Sequence, residues 1–370
     1  MQLRLHRESR PGERRVALVP REVEHLVKAG HSVIVPAGAG DAAGFPDAAY
    51  AAAGAKVVTG APQPADLLFG IGPLRAADLA GAAAVIALLD PLVDPDNVAA
   101  IAASGATAFA LEMLPRTTLA QAMDVLSSQA TAAGYEAVLL AARTLPRFFP
   151  MMTTAAGTIR PATILVLGAG VAGLQAIATA KRLGAVVFGY DIRPAARDQI
   201  ESLGARFVGG PVAAAAEGGG GYAAEVDEAT RAAQQQALAA AVAAADVIIT
   251  TAQVPGRRAP VLVTADMVAT MKPGAVLIDV AAASGGNCEL TAPDQVVMRG
   301  GVTILGPTDL ASATAGNASE MFSRNVVTLF DHVVQKGGFD AEPSDEIVVG
   351  CRVAAGGKVI EPRVLAALTR

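Results

Sequence analysis

The chain has 370 residues, of which 52% are hydrophobic and 17% charged, and a formal net charge of −5. That length accommodates about two domains with buried cores. The hydrophobic content excludes a disordered chain, and the negative balance offers no general attraction to nucleic acid. Aromatics make up only 4% and Trp is absent, so the apolar content is aliphatic, which suits helices packed on a buried parallel sheet.

In chain order, residues 15–20 lead into a helix over 21–29, with Val23, Leu26 and Val27 on one face and Gly30 as its stop. A strand over 31–35 and the Gly38-Ala39-Gly40 turn follow, then a helix and a strand within 48–58. Residues 65–71, 83–89 and 107–111 read as buried strands. From 119 to 144 the pattern turns helical through Leu119, Met123, Leu126, Tyr135, Val138 and Leu139, long enough to bridge two domains. Strands over 163–168, 185–191, 246–251, 275–280 and 302–305 then alternate with helices, and a second long helix over 317–335 carries the chain back. The expected fold class is α/β: two Rossmann-like domains, each a mostly parallel sheet flanked by helices, joined by the two long helices. The first domain is discontinuous, 1–126 plus 315–370, and the second occupies 127–314. A Gly- and Ala-rich stretch at 209–231 breaks the alternation; its length suggests a mobile lid, with a tolerated surface insertion as the alternative.

The most informative stretch is Thr163-Ile-Leu-Val-Leu-Gly168-Ala169-Gly170-Val171-Ala-Gly173. A run of β-formers enters a G-x-G-x-x-G turn and an Ala-rich helical segment leaves it. Gly168 permits the tight turn, Gly170 lets backbone approach a pyrophosphate, and Gly173 lets helix pack on strand. The helix N-terminus then offers unpaired N–H groups to the phosphates. The next strand ends in Asp191, roughly 20 residues beyond Gly170, where a carboxylate is expected to accept from the adenosine ribose. Residues 161–180 carry no charge and by length alone would allow a membrane span, but three glycines in a turn signature interrupt them, so strand-turn-helix is the reading adopted. The N-terminus lacks the apolar core of a signal peptide. Cys288 and Cys351 follow no metal-ligand spacing; buried free thiols in a reducing compartment are expected, with no metal site.

Other candidates lie on loops. Between Arg116 and Ser128, a helix from about residue 118 would bring Gln121, Asp124, Ser127 and Ser128 onto nearby faces; ordinary capping by Thr117 or Thr118 is the plainer alternative. Thr250, Thr251 and Ala252 follow one strand, and the loop through Gly285, Gly286 and Asn287 follows the strand ending at Asp279, both where open α/β sheets bind ligands. Only four histidines occur, His6, His25, His31 and His332, none near the nucleotide loops, and each reads as structural. An alcohol or amine dehydrogenase needs a group to move a proton with the hydride. Direct transfer between two nicotinamides needs only alignment, with reacting carbons about 3–3.5 Å apart.

These features, with Glu13-Arg-Arg-Val-Ala-Leu-Val-Pro20, Pro115-Arg116, Gln121, Asp124, Leu126-Ser-Ser-Gln129, Gly134-Tyr135, Gly221-Tyr222-Ala223, Pro255-Gly256, Ala259-Pro260 and Gly285-Gly-Asn-Cys288, carry a resemblance. Nearly end to end, the chain resembles the NAD(H)-binding domain I of the proton-translocating, Re/Si-specific NAD(P) transhydrogenase family, in its separate-subunit form. The resemblance implies that NAD(H) binds on this chain and NADP(H) on a partner subunit. It also implies a homodimer attached to the inner face of the bacterial plasma membrane through a transmembrane proton-channel subunit and the NADP(H)-binding subunit. It implies nicotinamide contacts from Arg116, Gln121, Asp124 and Ser127, and a mobile-loop tyrosine at Tyr222. Leu119 stands where a second arginine often occurs, so only Arg116 is assigned there. The cofactor set expected is Gly168, Ala169, Gly170, Val171, Gly173, Asp191, Ile192, Arg193, Tyr222, Thr251, Ala252 and Gln253. Asp191 favours NAD(H) over NADP(H), an effect that Arg193 would soften. Two rivals remain. One is an alanine dehydrogenase-like oxidoreductase, whose substrate Lys and His have no counterpart in 70–73 or 87–90, leaving Arg15 alone of that set. The other is a non-enzymatic NAD(H)-binding protein.

Overall fold

In the computed structural model the residues described are 1–209, 228–253, 256–339 and 344–369. Most of the stretch expected to form a lid, with Tyr222, lies outside them. The chain divides into two compact units, Met1–Gln129 with Ala311–Arg370, and Ala130–Leu310. The long helices Val125–Thr144 and Ala315–Gln335 stand at the two passages of the chain between units.

The first unit holds β1 (Gln2–Leu5), β2 (Ser32–Pro36), β3 (Lys56–Val58), β4 (Ala65–Phe69), β5 (Ala82–Ala87) and β6 (Thr107–Ala110). They pair in parallel in the order β3-β2-β1-β4-β5-β6, and Arg352–Ala355 and Lys358–Val359 add antiparallel strands beyond β6. Central strand β1 is not legible as a strand because Arg4 interrupts Leu3 and Leu5. The Arg4 guanidinium is buried, and it donates to the carbonyls of Gln63, Asp78, Leu79 and Ala80, so four main-chain oxygens replace water around the cation.

The helix Ala315–Gln335 packs one face into this unit's core through Ala315, Phe322, Val326, Phe330 and Val333, at helical spacing. Each such large side chain, fully buried, contributes about 1.5–3 kcal/mol. The same helix buries Ser319 and Ser323, whose hydroxyls accept the N–H groups of Val16 (2.9 Å) and Val19 (3.0 Å). Residues 15–19 therefore run as buried, non-strand backbone, in which serines take the N–H groups of Val16 and Val19 and Glu13 takes that of Arg15, with no sheet ladder.

The second unit opens with a hairpin of β7 (Met152–Thr154) and β8 (Gly157–Ile159). Its main sheet comprises β9 (Thr163–Leu167), β10 (Val186–Tyr190), β11 (Arg206–Phe207), β12 (Val247–Thr250), β13 (Val276–Asp279), β14 (Val296–Arg299) and β15 (Val302–Leu305). The order is β11-β10-β9-β12-β13-β15-β14, parallel except for β14. Both units are thus Rossmann-like, each a mostly parallel sheet flanked by helices. Edge strand β14 escapes the sequence pattern; it is joined to β15 by Gly300-Gly301, both at positive φ (58° and 81°), which suits a tight hairpin turn. The apolar faces of β9, β12 and β13 pack on one side with the helix Val171–Arg182 and on the other with Leu238, Val242, Val268 and Met271.

Candidate functional site

In the second unit β9 delivers the chain into the glycine turn. Gly168 adopts φ +98° and donates its N–H to the Tyr190 carbonyl at 2.8 Å, tying the turn to β10. A Cβ on Gly173 would stand 1.8 Å from the Gly168 carbonyl oxygen, so only glycine lets the helix Val171–Arg182 start this close to the strand. A Cβ on Gly170 would meet nothing within 4 Å. Gly170 is the N-cap of that helix, and no side chain among the described residues caps it. The helix N-terminus thus has open space beside Gly170, and Val171 is exposed next to it. The uncapped terminus and the open space both fit a dinucleotide's pyrophosphate.

Asp191 follows β10 with its carboxylate 8% exposed. It accepts from the Ala169 N–H (2.7 Å), the Arg193 N–H (2.8 Å), and Arg193 Nε (3.0 Å) and Nη2 (2.9 Å). Burial pushes this carboxyl upward, but the Arg193 side chain and the two backbone N–H groups outweigh it, and its pKa lies below the usual value. The acid is ionised, and its roughly four lone-pair sites are all engaged. A ribose could hydrogen-bond here only after Arg193, 45% exposed, moved aside. Ile192 is exposed beside it.

The 251–253 segment abuts the glycine turn. Thr251 donates its N–H to Leu167 (2.8 Å) and its hydroxyl to the Gly168 carbonyl (2.9 Å), and Gln253 is exposed. The structure thus gathers Gly168, Ala169, Gly170, Val171, Gly173, Asp191, Ile192, Arg193, Thr251, Ala252 and Gln253 at the carboxyl ends of neighbouring strands β10, β9 and β12. Asp279 and Asn287, both fully buried, stand behind this group; the sequence put them at a ligand-binding strand end without giving either a role. A polar residue at the end of an apolar strand was the available signal.

In the first unit, Leu119–Met123 forms a 3-10 turn, and the long helix begins only at Val125. The break sits at Asp124 (φ −77°, ψ 91°), whose carboxylate accepts from the Ser127 N–H (3.0 Å) and hydroxyl (2.5 Å). Asp124 thus caps the long helix, while the Thr117 hydroxyl oxygen accepts the Ala120 N–H (3.4 Å) at the preceding 3-10 turn and Thr118 caps nothing among the described residues. Arg116 and Gln121 are exposed and make no side-chain hydrogen bond among the described residues.

The strand ends of this unit carry buried carboxyls that sequence reasoning missed. Glu8 accepts the Ile71 N–H (2.7 Å), and Glu112 accepts those of Leu89 (2.7 Å) and Asp90 (2.6 Å). Burial pushes both pKa values up to about 7. Glu13 is also pushed up by burial, but Arg15, Ser312 and the Arg15 N–H bring it down to about 2. Arg15 grips Glu13 through Nε (2.8 Å) and Nη2 (2.6 Å), and Nη1 reaches Gln129 (2.8 Å). Ile71 and Leu89 are buried, apolar and without titratable groups. Cys288 and Cys351 are free and buried, and the described residues hold no grouping of possible metal ligands. No helix among them is long and apolar enough to cross a membrane.

Residues 4–133 match the N-terminal domain, and residues 137–362 the C-terminal domain, of the alanine dehydrogenase/PNT family. The chain is 43% identical over 377 aligned residues to the first part of the NAD(P) transhydrogenase alpha subunit of Rhodospirillum rubrum, covering 98% of each. Its fold matches the crystal structure of transhydrogenase from Sinorhizobium meliloti with a TM-score of 0.86 at 41% identity, over 98% of this chain and 99% of that one. Alanine dehydrogenase of Mycobacterium tuberculosis is 32% identical over 308 residues, covering 79% of this chain and 76% of the relative. The chain belongs to the alanine dehydrogenase/PNT family and, within it, groups with the first part of the NAD(P) transhydrogenase alpha subunit.

Proposed function

We propose that this chain is the NAD(H)-binding component of a proton-translocating, Re/Si-specific NAD(P) transhydrogenase, active together with partner subunits. Bound NADH supplies the hydride, which passes directly to NADP+ held on a partner subunit. The observation that carries the reading is the uncapped helix N-terminus behind Gly170, flanked by an ionised Asp191. It is supported by similarity to the transhydrogenase alpha subunit over almost the whole chain.

The residues divide the work. The Val171–Arg182 helix N-terminus and the Gly168–Gly173 backbone hold the pyrophosphate, and Gly173 keeps that turn tight. Asp191 takes the adenosine ribose once Arg193 yields its half-exposed ion pair, which at such exposure costs roughly 0–1 kcal/mol. Thr251, Ala252 and Gln253 line the side toward the reacting end. The assignment of Arg116, Gln121, Asp124 and Ser127 to the nicotinamide, and of Tyr222 to a closing loop, rests on the resemblance. On the same ground the chain forms a homodimer, carried on the inner face of the bacterial plasma membrane by a proton-channel subunit and the NADP(H)-binding subunit. Hydride-only transfer asks this chain for alignment and not for a proton carrier.

Amino-acid oxidation fits less well. The ends of β4 and β5 present Ile71 and Leu89, and Arg15 is already engaged by Glu13 and Gln129. The deciding experiment mixes the chain with an NADP(H)-binding subunit and follows hydride exchange between NADH and NADP+. Transfer at catalytic rates is expected. Tight NADH binding without transfer would leave a sensor, and the proposal would fall.

A further inference from the structure

We propose that Asn287 is a positioning residue: its side-chain amide fixes the 251–253 loop against the glycine turn, and it serves the nicotinamide half of the dinucleotide without serving the adenosine half. This rests on the NAD(H) reading above and extends it to a residue outside the contact set.

The geometry is specific. Sheet pairing on β12 stops at Thr251, whose N–H goes to Leu167. One residue later Asn287 takes over. Its Oδ1 accepts the Ala252 N–H at 3.0 Å, and its Nδ2 donates to the Ala252 carbonyl at 2.8 Å and to the Pro260 carbonyl at 2.7 Å. A single side chain thus satisfies both polar groups of Ala252, as a neighbouring strand would. It pins the loop at two points without help from a ligand.

Asn287 is itself held. The Asp279 carboxylate, fully buried, accepts from the N–H groups of Asn287 (2.8 Å) and Cys288 (3.0 Å) and from the Thr291 hydroxyl (2.6 Å) on one oxygen. On the other it accepts from the Thr250 hydroxyl (2.9 Å) and the Ala281 N–H (3.1 Å). No cation pairs with it among the described residues. A buried polar network of this kind, fully satisfied, specifies one geometry where apolar packing would tolerate several. Gly286, at φ +77°, makes the approach possible, since a Cβ there would lie 2.8 Å from Asp279 Oδ2.

The choice of half follows from topology. A dinucleotide crosses this sheet at the switch point between β9 and β12. The β9-β10-β11 half carries Asp191 and takes the adenosine; β12 begins the other half, so its loop meets the nicotinamide side. A Cβ on Gly168 would stand 3.0 Å from the Ala252 N–H nitrogen, which leaves no slack between loop and turn.

The test uses the full chain with Asn287→Ala and Asn287→Asp. The Asp variant keeps the shape and the acceptor but replaces both donors by an oxygen facing the Ala252 and Pro260 carbonyls, and ADP binding with the melt reports whether either variant is folded. NADH affinity is measured by its own fluorescence, affinity for ADP (the adenosine half with its diphosphate) by calorimetry, and stability by thermal melting. The expected result is NADH weakened about tenfold or more, with ADP within twofold of the unsubstituted chain. Equal weakening of both ligands, no change in either, or collapse of both variants would overturn the proposal. Failure of the unsubstituted chain to bind NADH would instead remove the NAD(H) reading on which it stands.

Discussion

Two alanine substitutions in the same turn should separate folding from binding. Gly173→Ala places a methyl 1.8 Å from the Gly168 oxygen, and also 2.9 Å from Thr251 Oγ1, where 3.4–4 Å is ordinary contact. The helix would have to lift by more than an ångström, and overpacking of this kind costs about 1–3 kcal/mol. Gly170→Ala places its methyl in open space, at φ −75° and ψ −171°, which alanine adopts freely. Its effects on stability oppose one another: less chain entropy in the unfolded state stabilises by about 0.4–1 kcal/mol, while loss of a favourable N-cap residue costs a comparable amount, about 1 kcal/mol. The melting temperature should barely move. Yet that methyl occupies the space a pyrophosphate needs, and NADH affinity should fall about 10–100-fold, or roughly 1.4–3 kcal/mol. The chain has no Trp, so NADH fluorescence can be titrated without indole interference. Gly173→Ala should melt several degrees lower and bind poorly. Normal NADH affinity in Gly170→Ala, or a normal melt with normal binding in Gly173→Ala, would refute the reasoning.

Other expectations follow from the charged groups. Asp191→Ala should weaken NADH about tenfold and erase preference over NADPH in calorimetry, whereas Arg193→Ala should leave NADH affinity within a few-fold because that ion pair is half exposed. Glu112 titrates near 7 when folded, above its usual 4.5, so the stability of its protonated form is complete below about pH 4.5 and lost as pH rises toward 7. Glu112→Gln should therefore narrow the stability gap between pH 5 and pH 8 by up to about 3 kcal/mol in urea melts; parallel pH curves for the two proteins would contradict the assignment. Alanine should drive no NADH formation at enzymatic rates, and if it does, the filled ends of β4 and β5 have been misread.

Much of the fold is legible in the sequence because aliphatic runs mark buried parallel strands and Gly-x-Gly-x-x-Gly marks one specific turn. Residues Ile164–Leu167 and Val247–Ile249 are buried on both faces, as their uninterrupted apolar runs imply. What escapes is whatever depends on distant partners. Strand β1 hides because the oxygens that hold Arg4 come from residues 63 and 78–80. Residues 16–19 are an apolar run that forms no strand, because the N–H groups of Arg14, Val16 and Val19 are claimed by serines some three hundred positions later. In the candidate site the glycines and Asp191 are readable from spacing. Asn287 is readable as part of a strand-end loop but its role is not, since nothing local says that its amide will meet Ala252.

The two sheets share the strand order 3-2-1-4-5, and the difference between them accounts for where a ligand can bind. At the carboxyl ends of the first sheet the N–H groups that lack a sheet partner are answered from within: Glu8 takes Ile71, and Glu112 takes Leu89 and Asp90. An anion arriving there would meet carboxyls already in place. In the second sheet the corresponding end is a helix N-terminus with no side-chain cap, open space over Gly170, and an acid set to one side for hydroxyls. Donors left unanswered by the protein attract phosphate, because their desolvation is otherwise uncompensated. One topology thus yields a self-satisfied scaffold in one unit and an anion cradle in the other. Adding a capping carboxylate to the second, by Gly170→Asp, should close it: the folded chain would persist, with a melting temperature at or above that of the parent, and NADH binding would be lost. Retained binding in that variant would mean that the phosphates lie elsewhere.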